Sequence, residues 1–384
     1  MKDRDAARAG FDQGRLSTLL GDRGVDLLLA SSRHNIRYLT GGYYYPLYLW
    51  DAHTRGSQYL SFLAIPRDSP AASVYIGRPG EREVMEEAGV GIPRCHESTG
   101  IGTRPAAAKA VEVLRDLQLD QGCIALELPS LPADAYEVLV AGLPRASLVD
   151  ATPILDALRA VKTPAEIELM RRGTVQNAEA LAAVLGSGRE GETTAHLARR
   201  VEGETRRRGL HHLYALVCAG PHFFRAPSPR LRLQRDQVLH IDAGAMLEGY
   251  ITEVCRTGIL GTPSALADRL LAGCRDLEAA VLREMHPGVR ACDVQRAAEE
   301  FLRGLLLGRH GAFIGHGIGL VHHEDPVIDS GAEVVLESGM VISLEMEFRH
   351  EEVGHVKIED MVVVTSTGAK LLGPVQDGWI VSRG

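Results

Sequence analysis

A chain of 384 residues is longer than a single hydrophobic core usually serves, so its length predicts two domains. Its hydrophobic content of 45% and its charged content of 24% are ordinary for a globular protein. A net charge of −8 argues against nucleic acid, and against an acidic membrane surface, as the main partner.

The sequence indicates a cytoplasmic protein without a membrane anchor. No stretch approaches the roughly 20 consecutive apolar residues that a membrane helix needs. Residues 1–24 alternate charged and apolar side chains and lack the continuous apolar core of a signal peptide. The six cysteines are scattered and form no CxxC pair, which fits free thiols in a reducing compartment better than disulfides or a cysteine metal site.

The first half of the chain alternates short apolar runs with helix-forming segments. This alternation predicts an α/β layer. The strands are expected at 25–30, 60–65, 73–76 and 123–126, and the helices at 81–88 and 104–117. We assign this part, residues 1–156, to a first domain.

The second half begins with a long helix. Thr163 is expected to cap it, Pro164 to occupy its first position and Glu166 to complete a capping box. Beyond residue 185 or so, further helices alternate with β-hairpins, which is typical of an α+β domain. These helices are predicted at about 194–208, 264–284 and 292–307. We assign residues 157–384 to this second domain.

Two hairpins in the second domain carry acidic pairs. The first covers residues 238–257 and contains Asp242 and Glu253, which are equidistant from the predicted centre of the turn. Residues symmetric about the turn of an antiparallel pair face each other, with Cβ atoms roughly 5 Å apart. The first hairpin therefore predicts two facing carboxylates.

The second hairpin, residues 340–365, repeats this arrangement with Glu345 and Glu359. Both glutamates lie among apolar strand residues, where unpaired like charges raise each other's pKa and cost several kcal/mol. A divalent cation would remove that cost. Acidic residues in a single hairpin more often form a solvated face, but two symmetric pairs in apolar strands favour a metal site.

A histidine motif lies between the two hairpins. Residues 315–319 read Gly-His-Gly-Ile-Gly, and His323 follows His316 by seven residues. A lone histidine near glycines is usually a turn residue. Here the histidine lies between two acidic hairpins, and carboxylates together with one imidazole suit Mn, Co, Fe or Zn rather than a structural zinc site. Four carboxylates nearly balance two divalent ions, which is the arrangement of a two-metal hydrolase.

The order of these residues resembles the pita-bread fold shared by methionine aminopeptidase, prolidase, aminopeptidase P and creatinase. The resemblance covers the whole C-terminal half of the chain. Residues 35–41, Asn-Ile-Arg-Tyr-Leu-Thr-Gly, are similar to the N-terminal domain of the prolidase, aminopeptidase P and creatinase branch. The resemblance implies an α+β protein, in which a smaller α/β domain precedes a C-terminal pita-bread domain.

The resemblance also implies roles for individual residues. One or two divalent ions, drawn from Mn, Co, Zn and Fe with Mn as the leading choice, would be held by Asp242, Glu253, His316, Glu345 and Glu359. His323 would be catalytic, because the matching histidine contacts the substrate and stabilises the tetrahedral intermediate. Glu345 would be catalytic as well as a ligand.

The sequence departs from the family at the second ligand, where Glu253 replaces the usual Asp. The extra methylene lets the carboxylate reach further, and it can change the denticity, displace a metal or support only one ion. Creatinase, which needs no metal, also has Glu there, but it lacks the equivalents of Asp242 and Glu359. Both are kept here, so a metal site is still favoured.

A second departure concerns the catalytic histidine that the family places about seventeen residues before the first Asp. The residue at that position is Arg225, and His222 is three residues too early unless the loop is rearranged. Arginine cannot act as a base near pH 7, but it can hold a carboxylate through two hydrogen bonds. Arg225 and His222 are therefore candidate substrate-binding residues, although Arg225 could equally cover only the rim.

Two further positions stand close to the expected ligands. Lys357 occupies the place where these enzymes often have Arg before the last Glu. His240 shares a strand face with Asp242, and it could support a ligand, be an extra ligand or fill the core. The core is the favoured interpretation for His240.

Aromatic residues are concentrated in one part of the first domain. The run from Tyr43 to Trp50 contains Pro46 and does not alternate cleanly, which is typical of a loop that presents aromatic side chains. Tyr44 is a candidate substrate contact in this run. In the related branch this domain approaches the active site of the partner subunit, so the resemblance implies a homodimer with composite pockets.

The residues and the resemblance together predict a metal-dependent hydrolase of a small amide or imide bond, with Xaa-Pro dipeptides as the leading substrate class. A creatinase-like amidinohydrolase or a lyase acting on a small metabolite is the first alternative, because of the changes at Arg225 and Glu253. The second alternative is a catalytically weak homologue that only binds a ligand or partner.

Overall fold

The computed structural model describes residues 11–42, 59–87, 89–90, 94–98, 100 and 102–382. The chain divides into two compact units, residues 1–159 and 160–384. Among the described residues, no helix combines the length and the apolar character that crossing a membrane requires.

The first unit is built around a mixed six-stranded sheet with the strand order β4-β3-β2-β1-β5-β6. Its elements are α1 (Gln13–Asp22), β1 (Leu27–Ala30), α2 (Arg33–Leu39), β2 (Phe62–Pro66), β3 (Val74–Gly77), α3 (Glu81–Glu87), β4 (Arg94–Glu97), α4 (Thr103–Asp116), β5 (Gln121–Leu126), α5 (Ala133–Gly142), β6 (Arg145–Asp150) and α6 (Thr152–Ala160). The predicted α/β layer is confirmed, with each of the six predicted elements present and its ends shifted by no more than two residues.

A buried carboxylate explains part of the sequence motif at residues 35–41. Glu127 accepts hydrogen bonds from the Ser32 backbone N–H at 2.8 Å and from the Asn35 side chain at 2.5 Å. Arg159 in turn donates to the Asn35 side-chain oxygen at 2.5 Å. In this structure Asn35 therefore organises the start of α2.

The second unit is built around a nine-stranded sheet. Seven strands follow the order β11-β10-β12-β13-β9-β8-β7, with β14 paired to β13 and β15 paired to β9. The helices are α7 (Pro164–Leu185), α8 (Thr194–Arg207), α9 (Ala265–Glu284) and α10 (Ala291–Gly304). The strands are β7 (His211–Ala219), β8 (Val238–Leu247), β9 (Tyr250–Leu260), β10 (Gly311–Gly317), β11 (Glu324–Ile328), β12 (Val341–His350), β13 (Gly354–Thr365), β14 (Gly368–Leu371) and β15 (Ile380–Ser382).

The long helix α7 begins as the sequence predicts. Thr163 caps it, Pro164 lies in its first turn, and the Thr163 and Glu166 side chains form the reciprocal capping box. The second oxygen of Glu166 accepts a hydrogen bond from Tyr250 at 2.8 Å, which fixes the start of the helix to β9. Local capping and a cross-link to the sheet therefore position the same helix end.

Alternation along the strands separates an apolar face of the sheet from a polar one. On β12, Ile342, Leu344 and Met346 belong to the hydrophobic core that helix α9 covers. Since side chains alternate along a strand, the residues between them point to the other face. Glu345 is one of these, and it lies on the face away from α9.

The two acidic hairpins differ in how well their register was predicted. Glu345 lies opposite Glu359, so the prediction for the second hairpin is confirmed. In the first hairpin Asp242 lies opposite Cys255 and Glu253 lies opposite Gly244, so the predicted direct pairing was wrong. The turn is the two-residue loop Glu248–Gly249, whose φ angles of +48° and +93° suit the tight hairpin turn, and it lies one residue further along the chain than predicted.

Candidate metal centre

Three carboxylates meet because of the register of four neighbouring strands. Asp242 pairs with Cys255, Cys255 pairs with Glu359, and Glu359 pairs with Glu345. Directly opposed residues of antiparallel strands point to the same face of a sheet. Asp242, Glu359 and Glu345 therefore form one row across the sheet.

The other two predicted ligands come from the neighbouring row of the same face. Glu253 is two residues before Cys255 on β9, and His316 lies opposite Ser343, two residues before Glu345 on β12. An offset of two residues keeps the side chain on the same face. Potential ligand atoms of all five residues lie within 4.8 Å of one another in overlapping groups of three.

The cluster contains buried ligand atoms that have no hydrogen-bond partner. These atoms are Asp242 Oδ1, Glu253 Oε2 and His316 Nε2. A buried polar atom without a partner costs about 1–3 kcal/mol, so three of them together need a further ligand. Burial and the neighbouring carboxylates raise the pKa of Glu359 well above its usual value, and burial also raises the pKa of Asp242. Both features fit a divalent cation.

The His316 ring is oriented for ligation. Its Nδ1 lies 3.0 Å from the carbonyl oxygen of Gly317. If Nδ1 carries the proton and donates it there, the lone pair of Nε2 points into the cluster. His316 Nε2 is 3.6 Å from Glu253 Oε2 and 3.6 Å from Glu345 Oε1.

A lysine of the chain also reaches the carboxylates. Lys357 Nζ lies 2.7 Å from Asp242 Oδ2, and it is similarly close to Glu345 and Glu359. Burial alone would lower the pKa of Lys357, but Glu359 and Asp242 raise it well above its usual value. The ammonium group therefore stays charged beside the cluster.

Arg225 faces the cluster from the loop after β7. Its Nη1 donates a hydrogen bond to Asp242 Oδ2 at 3.1 Å, and the guanidinium is partly exposed. His222 is exposed, and it is not among the described residues that line the adjoining cavity. Tyr44, and with it the run from Tyr43 to Trp50, lies outside the described residues.

Glu253 is held by two residues that were not singled out from the sequence. Tyr214 donates a short hydrogen bond to Glu253 Oε1, and His322 Nε2 lies 2.9 Å from the same oxygen. The hydrogen bonds with His322 and Tyr214 outweigh the effect of burial and lower the pKa of Glu253. His322 could have been suspected, since it precedes His323 directly, whereas Tyr214 carries no signal in the sequence.

The cluster opens into a cavity of about 800 Å³. His323 lines this cavity, and its ring centroid is 4.1 Å from that of His316 and 4.4 Å from that of His322. Arg225 and Arg349 add two cations to the lining. The cavity is therefore large enough for a small molecule and carries groups that attract an anion.

His240 lies in the core, as the favoured interpretation predicts. It is fully buried, its Nδ1 is 2.9 Å from the carbonyl oxygen of His355, and the two rings meet edge to face. His355 Nε2 contacts Glu347 at 2.8 Å. These residues form a polar layer next to the carboxylate row, and His240 contributes no atom to the groups of potential metal ligands.

Comparisons with family models match both parts of the chain. The model of metallopeptidase family M24 matches residues 168–366. The model of the creatinase/prolidase N-terminal domain matches residues 13–161.

Curated relatives and solved structures are consistent with these matches. The chain is similar to the Xaa-Pro dipeptidase of Pyrococcus furiosus, with 28% identity over 57% of the chain, and the match spans 64% of that relative's length. It is also similar to the Xaa-Pro dipeptidase of Lactobacillus helveticus, with 29% identity over 64% of the chain and 69% of the relative. The structure of dipeptidase PepE from Mycobacterium ulcerans superposes with a TM-score of 0.78 at 25% identity, covering 98% of this chain and all of the other.

Proposed function

The chain belongs to metallopeptidase family M24, and from this premise we propose that it hydrolyses the imide bond of Xaa-Pro dipeptides. The predicted family and the predicted fold, an N-terminal α/β domain followed by a pita-bread domain, are confirmed by the two family matches. The substrate class comes from the relatives, two of which are Xaa-Pro dipeptidases.

One observation carries the proposal: four carboxylates and one imidazole converge at the floor of a cavity, with buried ligand atoms that lack a partner. This set of donors suits Mn, Co, Zn or Fe, and we propose Mn as the first ion to test. Asp242, Glu253, His316, Glu345 and Glu359 would hold the ion. A divalent ion supplies polarisation of the scissile carbonyl group and favours the deprotonation of water.

Glu345 is proposed as the proton acceptor of the reaction. It is the most exposed of the four carboxylates, at 9%, whereas Asp242 and Glu359 are at 1% and 0%. Burial opposes the shift, but the adjacent His316 and Lys357 lower the pKa of Glu345 to about 2, so the carboxylate is ionised near pH 7. It would take a proton from the attacking water and return it to the imide nitrogen as the C–N bond breaks.

His323 is proposed to contact the scissile carbonyl oxygen. It is exposed and lines the cavity, and one of its ring nitrogens lies within 4.8 Å of potential ligand atoms of Glu253 and His316. A ring N–H donating to that oxygen would stabilise the negative charge that develops when water attacks. Arg225 and Arg349 are placed to attract the carboxylate of a dipeptide, because charge-assisted hydrogen bonds to carboxylate are strong.

The experiment uses the 384-residue chain, freed of metal with a chelator and reloaded with MnCl₂. Release of proline from Gly-Pro, Ala-Pro and Leu-Pro is measured beside Leu-Ala, which lacks the imide bond. We expect proline release that needs metal and that falls by at least about 10²-fold in Glu345→Gln. A protein with bound Mn²⁺ and no release from any Xaa-Pro dipeptide would contradict the proposal.

A second candidate function is supported by Arg225. In this family a histidine is usual at that position, and here a permanent cation lies against Asp242 instead. A creatinase-like amidinohydrolase or a lyase acting on a small anionic metabolite would use such a cation to bind its substrate. Turnover of small guanidino acids by the reloaded protein, without turnover of dipeptides, would favour this alternative. No turnover of either class, with ligand binding retained, would favour a homologue that only binds.

The remaining features of the proposal concern assembly and location. We propose a homodimer, which light scattering at micromolar concentration tests, and which a monomer would refute. A reducing, cytoplasmic location is supported by the six cysteines, all of which are free. We also propose 1–156 and 157–384 as the functional domains, and limited proteolysis that cuts between them would support these limits.

A further inference from the structure

Two histidines that line the cavity, His322 and His323, lie in the connection between β10 and β11. This connection, the histidine loop, covers residues 318–323 and contains no helix or strand. Its first half is fixed to the sheet, because the Ile251 N–H donates a hydrogen bond to the Gly319 carbonyl at 2.7 Å. Its second half ends at Glu324, the first residue of β11. The contacts of Glu324 therefore help to determine where the two histidines are held.

Glu324 is bonded to a buried lysine. Lys162 Nζ donates a hydrogen bond to Glu324 Oε1 at 2.8 Å, and the two side chains are 1% and 2% exposed. The same ammonium group donates to the Ala160 carbonyl at 3.3 Å. Because so little water reaches the pair, the attraction between the two charges is weakly screened, and neither charge is stable in this place without the other.

The backbone around Lys162 is itself fixed to the sheet. The Lys162 N–H donates to the Gly339 carbonyl at 3.0 Å, and Val161 forms an antiparallel bridge with Met340. The next residue, Thr163, caps α7. Lys162 is therefore anchored from both of its neighbours, and its ammonium group is a fixed point to which the end of the histidine loop is attached.

The last glycine of the Gly-His-Gly-Ile-Gly motif lies directly over this ion pair. A Cβ atom on Gly319 would overlap with Glu324 Oε1 and would lie 3.2 Å from Lys162 Cε. Neither side chain can move away easily, because both are buried and bonded to each other. The close approach of Gly319 links Lys162 to the histidine loop by an observation that is independent of the hydrogen bond to Glu324.

We propose that Lys162 is a positioning residue for His323, on which it acts through Glu324. Glu324 follows His323 directly in the chain, so a movement of Glu324 also moves the backbone that presents the His323 ring to the cavity. Without Lys162, the buried carboxylate would have to turn towards water. A group that stabilises developing charge must be held to within about 0.5 Å, so this movement would impair catalysis. The proposal rests on the proposed function, because it takes the role of His323 from it.

The experiment is a double-mutant cycle of Lys162→Met and His323→Ala, with kcat and KM measured for proline release from Ala-Pro after reloading with MnCl₂. We expect kcat to fall by about 10²-fold in Lys162→Met, since a displacement of about 1 Å has an effect of that size, while KM changes little. In His323→Ala, kcat should fall by about 10²- to 10³-fold. The double variant should be no slower than His323→Ala alone, because Lys162 acts only through the histidine.

Arg159→Met is the matched control. It also removes a buried cation, three residues earlier in the chain, but Arg159 pairs with Asp156 and donates to Asn35 rather than to the histidine loop. Any effect of Arg159→Met on kcat should therefore multiply with that of His323→Ala. A general loss of stability would give this multiplication for both variants, whereas positioning of His323 gives it for the control alone.

A second measurement does not depend on turnover. Amide hydrogen exchange across residues 318–324 should be faster in Lys162→Met than in the wild type or in Arg159→Met, while elemental analysis finds unchanged bound manganese. Unchanged kcat in a folded Lys162→Met, effects that multiply in the double variant, or a loss of manganese equal to the loss of kcat would overturn the proposal.

Two further outcomes keep the test decisive. If Lys162→Met does not fold, Glu324→Gln replaces it in the cycle with the same expectations, because it removes the charge of the pair and keeps the size of the side chain. If the wild type binds Mn²⁺ and releases no proline, the proposed function is refuted. Hydrogen exchange then decides this inference alone, and equal exchange in the wild type and Lys162→Met overturns it.

Discussion

Arg256→Met tests whether the candidate centre depends on a charge cluster buried beneath the sheet. Arg256 lies on β9 next to Cys255, so its side chain points away from the carboxylate row. It donates to Asp360 Oδ1 at 2.6 Å, to the Pro374 carbonyl at 2.8 Å and to the Glu359 carbonyl at 2.9 Å. The guanidinium therefore neutralises Asp360 and also holds the backbone of a proposed metal ligand.

The expected loss of stability follows from the burial of Arg256 and Asp360, whose side chains are 4% and 1% exposed. Removing one member of a buried ion pair costs about 3–5 kcal/mol, because the other charge is left without a partner. For a domain of this size each kcal/mol corresponds to about 2–4 °C, so the melting temperature should fall by about 6–20 °C. Burial already raises the pKa of Asp360, so protonation will relieve part of the loss at low pH. The fall should therefore be smaller at pH 5 than at pH 8.

The assay is differential scanning calorimetry at both pH values, accompanied by a Mn²⁺ titration. Arg290→Met is the matched control, because Arg290 also pairs with two carboxylates, Asp293 and Glu333, each at 3.1 Å, but does so at the surface. The melting temperature of Arg290→Met should equal that of the wild type. A melting temperature of Arg256→Met within a degree or two of the wild type, or an equal fall in both variants, would refute the reasoning.

Three further predictions concern the cavity and the core. Arg225→His replaces a permanent cation with a titratable group, so proline release from Xaa-Pro dipeptides should rise by about 10²-fold or more, while binding of an anionic substrate weakens. If steady-state kinetics show neither change, Arg225 only covers the rim of the cavity. Burial and the neighbouring Asp360 raise the pKa of Glu278 to about 8 from 4.5, so its contribution to the free energy of unfolding is complete below pH 4.5 and is lost as the pH rises through 8. Glu278→Gln should flatten this pH dependence of the free energy of unfolding, measured by urea denaturation, and an unchanged slope would contradict the prediction. Gly244→Ala places a methyl group against the Tyr214 ring, so it should reduce turnover while leaving the circular dichroism spectrum unchanged. Turnover equal to that of the wild type would show that the Tyr214 ring has no part in the site.

The elements that the sequence predicts well are those with strong local signals. The Thr163 and Glu166 capping box marks the start of α7 correctly because it depends only on neighbouring residues. Strand β7, residues 211–219, was not predicted, because its exposed and buried positions depend on pairing with β8 rather than on a local pattern. Pairing between distant strands is not encoded in any one segment.

The ligand set could be predicted although one register was wrong. Asp242 and Glu253 were expected to face each other, and they are offset by two residues instead. An offset of two keeps both side chains on the same face, whereas an offset of one would have moved one of them to the helix-covered side. Because side chains alternate along β8 and β9, the error in the position of the turn did not change which residues were predicted as ligands.

The residues that contact the proposed ligands could not be predicted from the sequence, for a different reason. Tyr214 reaches Glu253 because Gly244, between them on β8, has no side chain to keep the ring away. Lys357 could be identified as a departure from the family, but its contacts depend on the order of the strands. Three separate strand registers determine that its ammonium group lies beside the central carboxylate row.

Two departures from the family pattern, Arg225 and Glu253, change the candidate centre itself, whereas Lys357 keeps the positive charge of the Arg that is usual at its position. Arg225 and Lys357 both place positive charge on Asp242 Oδ2, at the end of the central row. Glu253 lies in the neighbouring row, and one of its oxygens is held by Tyr214 and His322 while the other faces His316. The longer acid can therefore meet its protein partners and still offer an oxygen to an ion near His316. Arg225 therefore adds a positive charge on the Asp242 side of the cluster, and Glu253 extends a carboxylate towards His316.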